Sequence, residues 1–276
     1  MSSYYVFSLA IGQSSGISAL LLDRNEMGHF RKAREENTRS TLRERFESFV
    51  KTLDGFEDID ALLKSSKKPD GRMRADYLFQ NRRFIVEQKT LESDPIDKPQ
   101  KFAERIMRER VIVAFGRVTT QRIFSGQPDA TALQRGLVLK IAKTIDDDVA
   151  KADKQTRDPR LIFSVPDAVG ILILLNESAT ILAPDVIHYA LANSFQKKTQ
   201  GGALRYAQND GVILISEAHT VARGGIPGVS RAYPILTFTS PQTKSTDTVV
   251  AFADMLRQKW ATFNRALLIT ERKQNP

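Results

Sequence analysis

Apolar residues recur along the chain with two periods, and the period predicts the element. Leu42, Phe46, Phe49, Val50 and Leu53 fall three or four residues apart, which predicts an amphipathic helix. Thr41 and Glu44 match a capping box and Gly55 ends the segment, although the pattern also allows a start nearer Arg31. Gln100 to Arg110 reads as a short helix. Pro128 opens a long one carrying Leu133, Leu137, Val138, Ile141, Ile145, Val149 and Ala152, with Pro159 closing it. Pro184 to Phe195 and Thr248 to Leu267 read as further helices. Strand signals are shorter. Tyr4 to Ile11 and Tyr233 to Thr239 suggest strands. Leu161 to Val165 is short, apolar and β-branched, and GILILL (Gly170 to Leu175) and GVILIS (Gly211 to Ser216) read as strands buried on both faces. The order helix, hairpin, helix, strand, helix, strand implies one α/β domain over 1–276 with a mixed sheet flanked by helices.

The hairpin is ADYLFQNRRFIVEQKT, Ala75 to Thr90. A two-residue tip at Asn81-Arg82 makes Gln80 face Arg83 and sets Asp76 opposite Glu87. Side chains alternate along a strand, so Tyr77, Phe79, Phe84, Val86 and Gln88 share one face. Asp76, Leu78, Ile85, Glu87 and Lys89 share the other. Opposed carboxylates repel, and burial adds a desolvation cost. A divalent cation between them removes both penalties. Mg²⁺ suits two oxygen ligands because it is hard and keeps several waters. Lys89 points the same way as Glu87 and could orient an attacking water or offset developing charge. The bland alternative is a solvated edge, with Glu87 and Lys89 as a same-face ion pair.

Composition narrows the chemistry. The chain has no cysteine, which removes thiolate metal sites and disulfides. Three histidines, His29, His188 and His219, lack ligand spacing. Net charge is +9 in 276 residues, which fits a polyanionic partner such as nucleic acid. No signal peptide is evident and no apolar run could span a bilayer, so the expected location is the cytoplasm with no membrane partner.

Asp followed by Glu-x-Lys on the next strand, here Asp76, Glu87 and Lys89, resembles the PD-(D/E)xK nuclease superfamily, the restriction-endonuclease-like fold. The likeness covers roughly Arg31 to Glu177, within a nuclease-like core of about 31–217. It implies a Mg²⁺- or Mn²⁺-dependent deoxyribonuclease, serving defence against foreign DNA or repair. Asp76 and Glu87 would bind metal and Lys89 would assist the attacking water. Asp70, in Pro69-Asp70, is a competing first acid, but a Pro-Asp-Gly turn already explains it. Relatives often carry a glutamate on the first helix, for which Glu35 is the candidate, with a solvated helix end as the alternative. Gln155 resembles a glutamine that some relatives place near the site.

Arg72, Arg74, Arg82, Arg83, Lys98 and Lys101 surround the motif in sequence and are candidate phosphate contacts. The GGIPG loop, Gly224 to Gly228, could cradle a phosphate but lacks the lysine of a P-loop. His219 follows a buried strand and could approach the site. Many nucleases of the resembled fold act as dimers, so a homodimer or partner subunit is in keeping with the likeness. The alternative function is a non-catalytic nucleic-acid-binding or interaction protein that keeps the fold.

Overall fold

Thr41 opens the first described helix as its sequence predicts. Its N–H donates to Glu44 Oε2 at 2.8 Å, and Glu44 N–H donates to Thr41 Oγ1 at 3.2 Å. Such a cap contributes about 1 kcal/mol. The computed structural model describes residues 5–12, 40–64, 73–92, 97–111, 123–124, 127–220 and 229–271. In chain order the elements are β1 (Tyr5–Gly12), α1 (Leu42–Val50), β2 (Glu57–Asp58), α2 (Ile59–Leu63), β3 (Tyr77–Phe79), β4 (Phe84–Thr90), α3 (Asp97–Glu109), α4 (Ala130–Ile162), β5 (Val169–Asn176), α5 (Pro184–Phe195), β6 (Gly211–Ser216), β7 (Val229–Thr239), α6 (Thr246–Phe263) and β8 (Leu267–Glu271).

The strands form one mixed sheet in the order β2-β3-β4-β5-β6-β7-β1-β8. The β4, β5 and β6 strands run parallel, and every other pairing is antiparallel. Helices cover both faces. Ile171, Ile173 and Leu175 join Phe46, Phe49 and Trp260 beneath α1 and α6. Leu172 and Leu174 join Ile141, Ile145 and Leu191 beneath α4 and α5. This is why β5 reads as an unbroken apolar run: every residue of it is buried. Each such side chain contributes about 1.5–3 kcal/mol on burial. The protein is thus an α/β fold with a mixed sheet flanked by helices.

The hairpin register is the one that the Asn81-Arg82 tip predicts. Tyr77 pairs with Val86, Leu78 with Ile85 and Phe79 with Phe84. Asn81 and Arg82 both have positive φ, 56° and 65°, and Arg83 N–H donates to Gln80 O at 3.2 Å. Gln80 before them is left-handed too, at 51°, and left-handed tip residues give a twist that matches a hairpin. An arginine is an uncommon occupant of this conformation. It is tethered there, with Nε and Nη2 both donating to Glu57.

Three expectations change. Pro159 does not close α4, because the helix runs on to Ile162. Proline lacks only its own N–H, and its carbonyl still accepts from Phe163 N–H at 2.9 Å. Leu161 to Val165 is consequently helix end and turn rather than strand. The last helix stops at Phe263, where the Asn264 side chain donates to Trp260 O at 2.8 Å. The chain then turns back as β8, which pairs with β1. Among the described residues, no helix is long and apolar enough to cross a membrane.

Candidate active site

The acid pair is set by the hairpin and the parallel strand beside it. Asp76 immediately precedes β3 and its N–H donates to Val86 O at 3.1 Å. Its carboxylate turns onto β4 and accepts from Gln88 N–H at 2.7 Å. Glu87 pairs with Leu172 of β5 and is 1% exposed. The two carboxyls are near neighbours, and each shifts the titration of the other. Lys89 Nζ donates to Glu87 Oε1. Glu87 Oε2 is buried and has no hydrogen-bond partner. Thus a buried acid and a half-buried one stand near one ammonium, and Glu87 Oε2 is left over.

Burial pushes both acids up. For Glu87 desolvation is the largest cause and the Asp76 charge the next, raising it to about 8. The Lys89 ammonium pulls the other way and is outweighed. Asp76 is raised by burial too, though the Gln88 N–H offsets part of that. The pair therefore holds a proton near neutral pH.

Two neighbouring elements close the site. On α4, Asp148 senses the charge of Lys89, and burial raises its pKa. One heptad further along, Gln155 donates through Nε2 to Arg74 O at 3.0 Å, two residues before Asp76, while its Oε1 is buried without a partner. On the other face, Tyr77 Oη donates to Gln88 Oε1 at 3.2 Å. The charge of Arg43 on α1 reaches Asp76, and Arg43 pairs with Glu47 at 2.7 Å. Glu47, rather than the cap Glu44, is the α1 acid on this side.

The remaining predicted residues lie elsewhere. Arg82 and Arg83 sit at the hairpin tip, Arg83 four residues and about 13 Å from Glu87 along the strand. Arg82 binds Glu57 and stacks over Phe163, and Arg83 donates to Thr248 at 3.4 Å. Lys98 donates to Thr144 on α4 at 2.9 Å, and Lys101 lies exposed on α3. Arg74 is half-buried in the segment leading to Asp76. His219 hydrogen-bonds locally, to Ser216 Oγ at 3.1 Å and Thr180 O at 2.8 Å. Glu35, Asp70, Arg72 and the Gly224 to Gly228 loop lie outside the described residues. Asp148 was not singled out from sequence. Its signal is spacing: Asp148 and Gln155 are seven apart on the flank next to the apolar stripe.

Among the described residues, no cluster of three or more histidine, cysteine or acidic side chains could hold a metal ion. The donor set is the smaller one of two carboxylates. Its fit to a hard cation rests on Glu87 Oε2, a buried oxygen lacking a partner, next to a second acid with which it must share a proton. The chain matches no family model, no curated protein and no solved structure.

Proposed function

We propose that the protein is a metal-dependent nuclease that hydrolyses DNA phosphodiester bonds, on a restriction-endonuclease-like core. The observation that carries this reading is the pairing of half-buried Asp76 with buried Glu87, one oxygen a partner short and Lys89 against it. An unsatisfied buried oxygen costs about 1–3 kcal/mol, a cost that a bound cation would remove. Asp76 and Glu87 would hold Mg²⁺ or Mn²⁺. Such an ion supplies positive charge that stabilises a phosphorane and makes water a better nucleophile.

The chain's own groups do the rest. Asp76 is fixed by the Gln88 N–H, so one oxygen is positioned without side-chain freedom. Lys89 lies toward the C-terminal end of β4, where ligands of open α/β sheets bind. Its ammonium orients the attacking water and donates toward charge developing on the phosphate. Asp148 faces Lys89 from α4 and keeps the ammonium aimed at the acids. The basic chain supplies attraction for the polyanion, and a second copy or a partner subunit would address the second strand.

The test is incubation with supercoiled and linear DNA in Mg²⁺, Mn²⁺ or EDTA. Metal-dependent cutting that disappears in Asp76→Ala and Lys89→Ala is expected. Cutting that persists in both variants removes this site. Salt-sensitive binding without any cutting would instead identify a non-catalytic nucleic-acid-binding protein.

A further inference from the structure

The long helix α4 carries the acid-pair neighbours Asp148 and Gln155 on one flank. Its solvent side carries something else. At 100° per residue, Lys140, Lys143, Lys151 and Lys154 fall within an arc of about 80°. All four are exposed. They span about 21 Å along the helix axis. One exposed acid, Asp147, interrupts them. Among the described residues none of the four makes an ion pair, although Lys151 is close enough to Asp148 for its charge to be felt.

The stripe continues at its N-terminal end. The Phe102 ring of α3 is flanked by Lys140 at 5.8 Å and by Arg105 at 5.1 Å. Beside Lys143, a groove of about 360 Å³ opens between α4 and α5 and is lined by Asn193, Ser194 and Lys197. Lys197 is partly neutralised by Asp146 at 2.6 Å. Cationic side chains therefore cover about 21 Å of α4, from Lys140 to Lys154, with Lys151 next to Asp148.

We infer that the α4 stripe, rather than the cations near the hairpin, is the track along which a nucleic-acid backbone lies. The inference takes its partner from the nuclease reading and adds where that partner docks. Arg82 and Arg83 are at the far end of the hairpin, with Arg82 already committed to Glu57. Among the described residues the four stripe lysines make no ion pair, and Lys151 lies near Asp148, which also senses the Lys89 charge. Its length matches about six base steps of a duplex. Phosphate contacts of this kind position the scissile bond without reading sequence.

The test compares two triple variants by anisotropy of a labelled 20-base-pair duplex. The first is Lys143→Gln, Lys151→Gln and Lys154→Gln. The second, Lys51→Gln, Lys244→Gln and Lys259→Gln, removes the same charge from exposed positions away from the stripe. Binding is read in EDTA across a salt series, so the result does not depend on whether the acid pair cuts. The stripe variant is expected to weaken binding at least about tenfold and to reduce the salt slope by about 3, one unit per lost phosphate contact. The second variant should change the slope by less than about 1. Equal effects of the two variants would overturn the inference. So would a wild-type protein that binds anionic phospholipid vesicles but not the duplex.

Discussion

Two charge clusters lie along the parallel strands, and they are built differently. Where β5 and β6 begin, Arg160 donates to Ala168 O, Gln208 O and Asp210 Oδ2. Asp210 Oδ2 also accepts from Gly170 N–H at 2.9 Å, and Oδ1 accepts from Thr243 at 2.7 Å. Charges are opposite and each named oxygen has a donor. Gly170 has no room for a side chain, since a Cβ would stand 2.0 Å from Gln208 O. In the middle of β4, beside Leu172 of β5, Asp76 and Glu87 are two acids with one ammonium, and Glu87 Oε2 has no partner. The first cluster is complete as it stands. The second is one partner short, a place that a cation would fill on the nuclease reading.

The comparison breaks most visibly at the second cluster. Asp76→Asn or Lys89→Met should lower metal-dependent DNA cutting by on the order of 10²–10³, with stability within about 1 kcal/mol of wild type. A gel-based cleavage assay and a urea melt read the two quantities separately. The mirror result belongs to the first cluster. Asp210→Ala strands a largely buried guanidinium and should cost about 3 kcal/mol in urea unfolding, with cutting per folded molecule unchanged.

A pH series sharpens the contrast. The folded pKa of Glu87 is raised from 4.5 to about 8, so the native state holds a proton that the unfolded chain has lost. That stabilising contribution is present at low pH and is lost as pH rises through this window. The metal-free protein should therefore lose on the order of 2–3 kcal/mol between pH 5 and pH 8. Glu87→Gln should flatten the slope, and an unchanged slope in that variant would remove the proton-sharing pair. The smallest effect is expected at Asp148. Asp148→Asn should reduce cutting by less than about tenfold without changing DNA affinity, because it acts on Lys89 rather than on the backbone track.

Much of this was legible in the chain. The period of three to four gave α1 through Leu42, Phe46, Phe49 and Val50, and alternation gave the hairpin face of Phe79, Phe84 and Val86. The tip at Asn81-Arg82 fixed the register, since a two-residue turn leaves one pairing. The buried runs of β5 and β6 were plain because both faces are covered. Elements fixed by tertiary contacts were not legible. β2 is two residues held by the Leu78 and Tyr77 backbones, and β8 exists because β1 offers an edge. At the site, the Asp76, Glu87 and Lys89 constellation followed from strand geometry. Asp148 did not, because its meaning depends on where α4 crosses β4, which no local pattern encodes.

The central claim is that the acid pair holds a divalent cation. A crystal soaked in Mn²⁺ and measured for anomalous scattering tests it most directly. The account predicts a peak about 2.1 Å from a carboxylate oxygen of Asp76 and of Glu87. Strong anomalous peaks elsewhere, with none at these two acids, would contradict it.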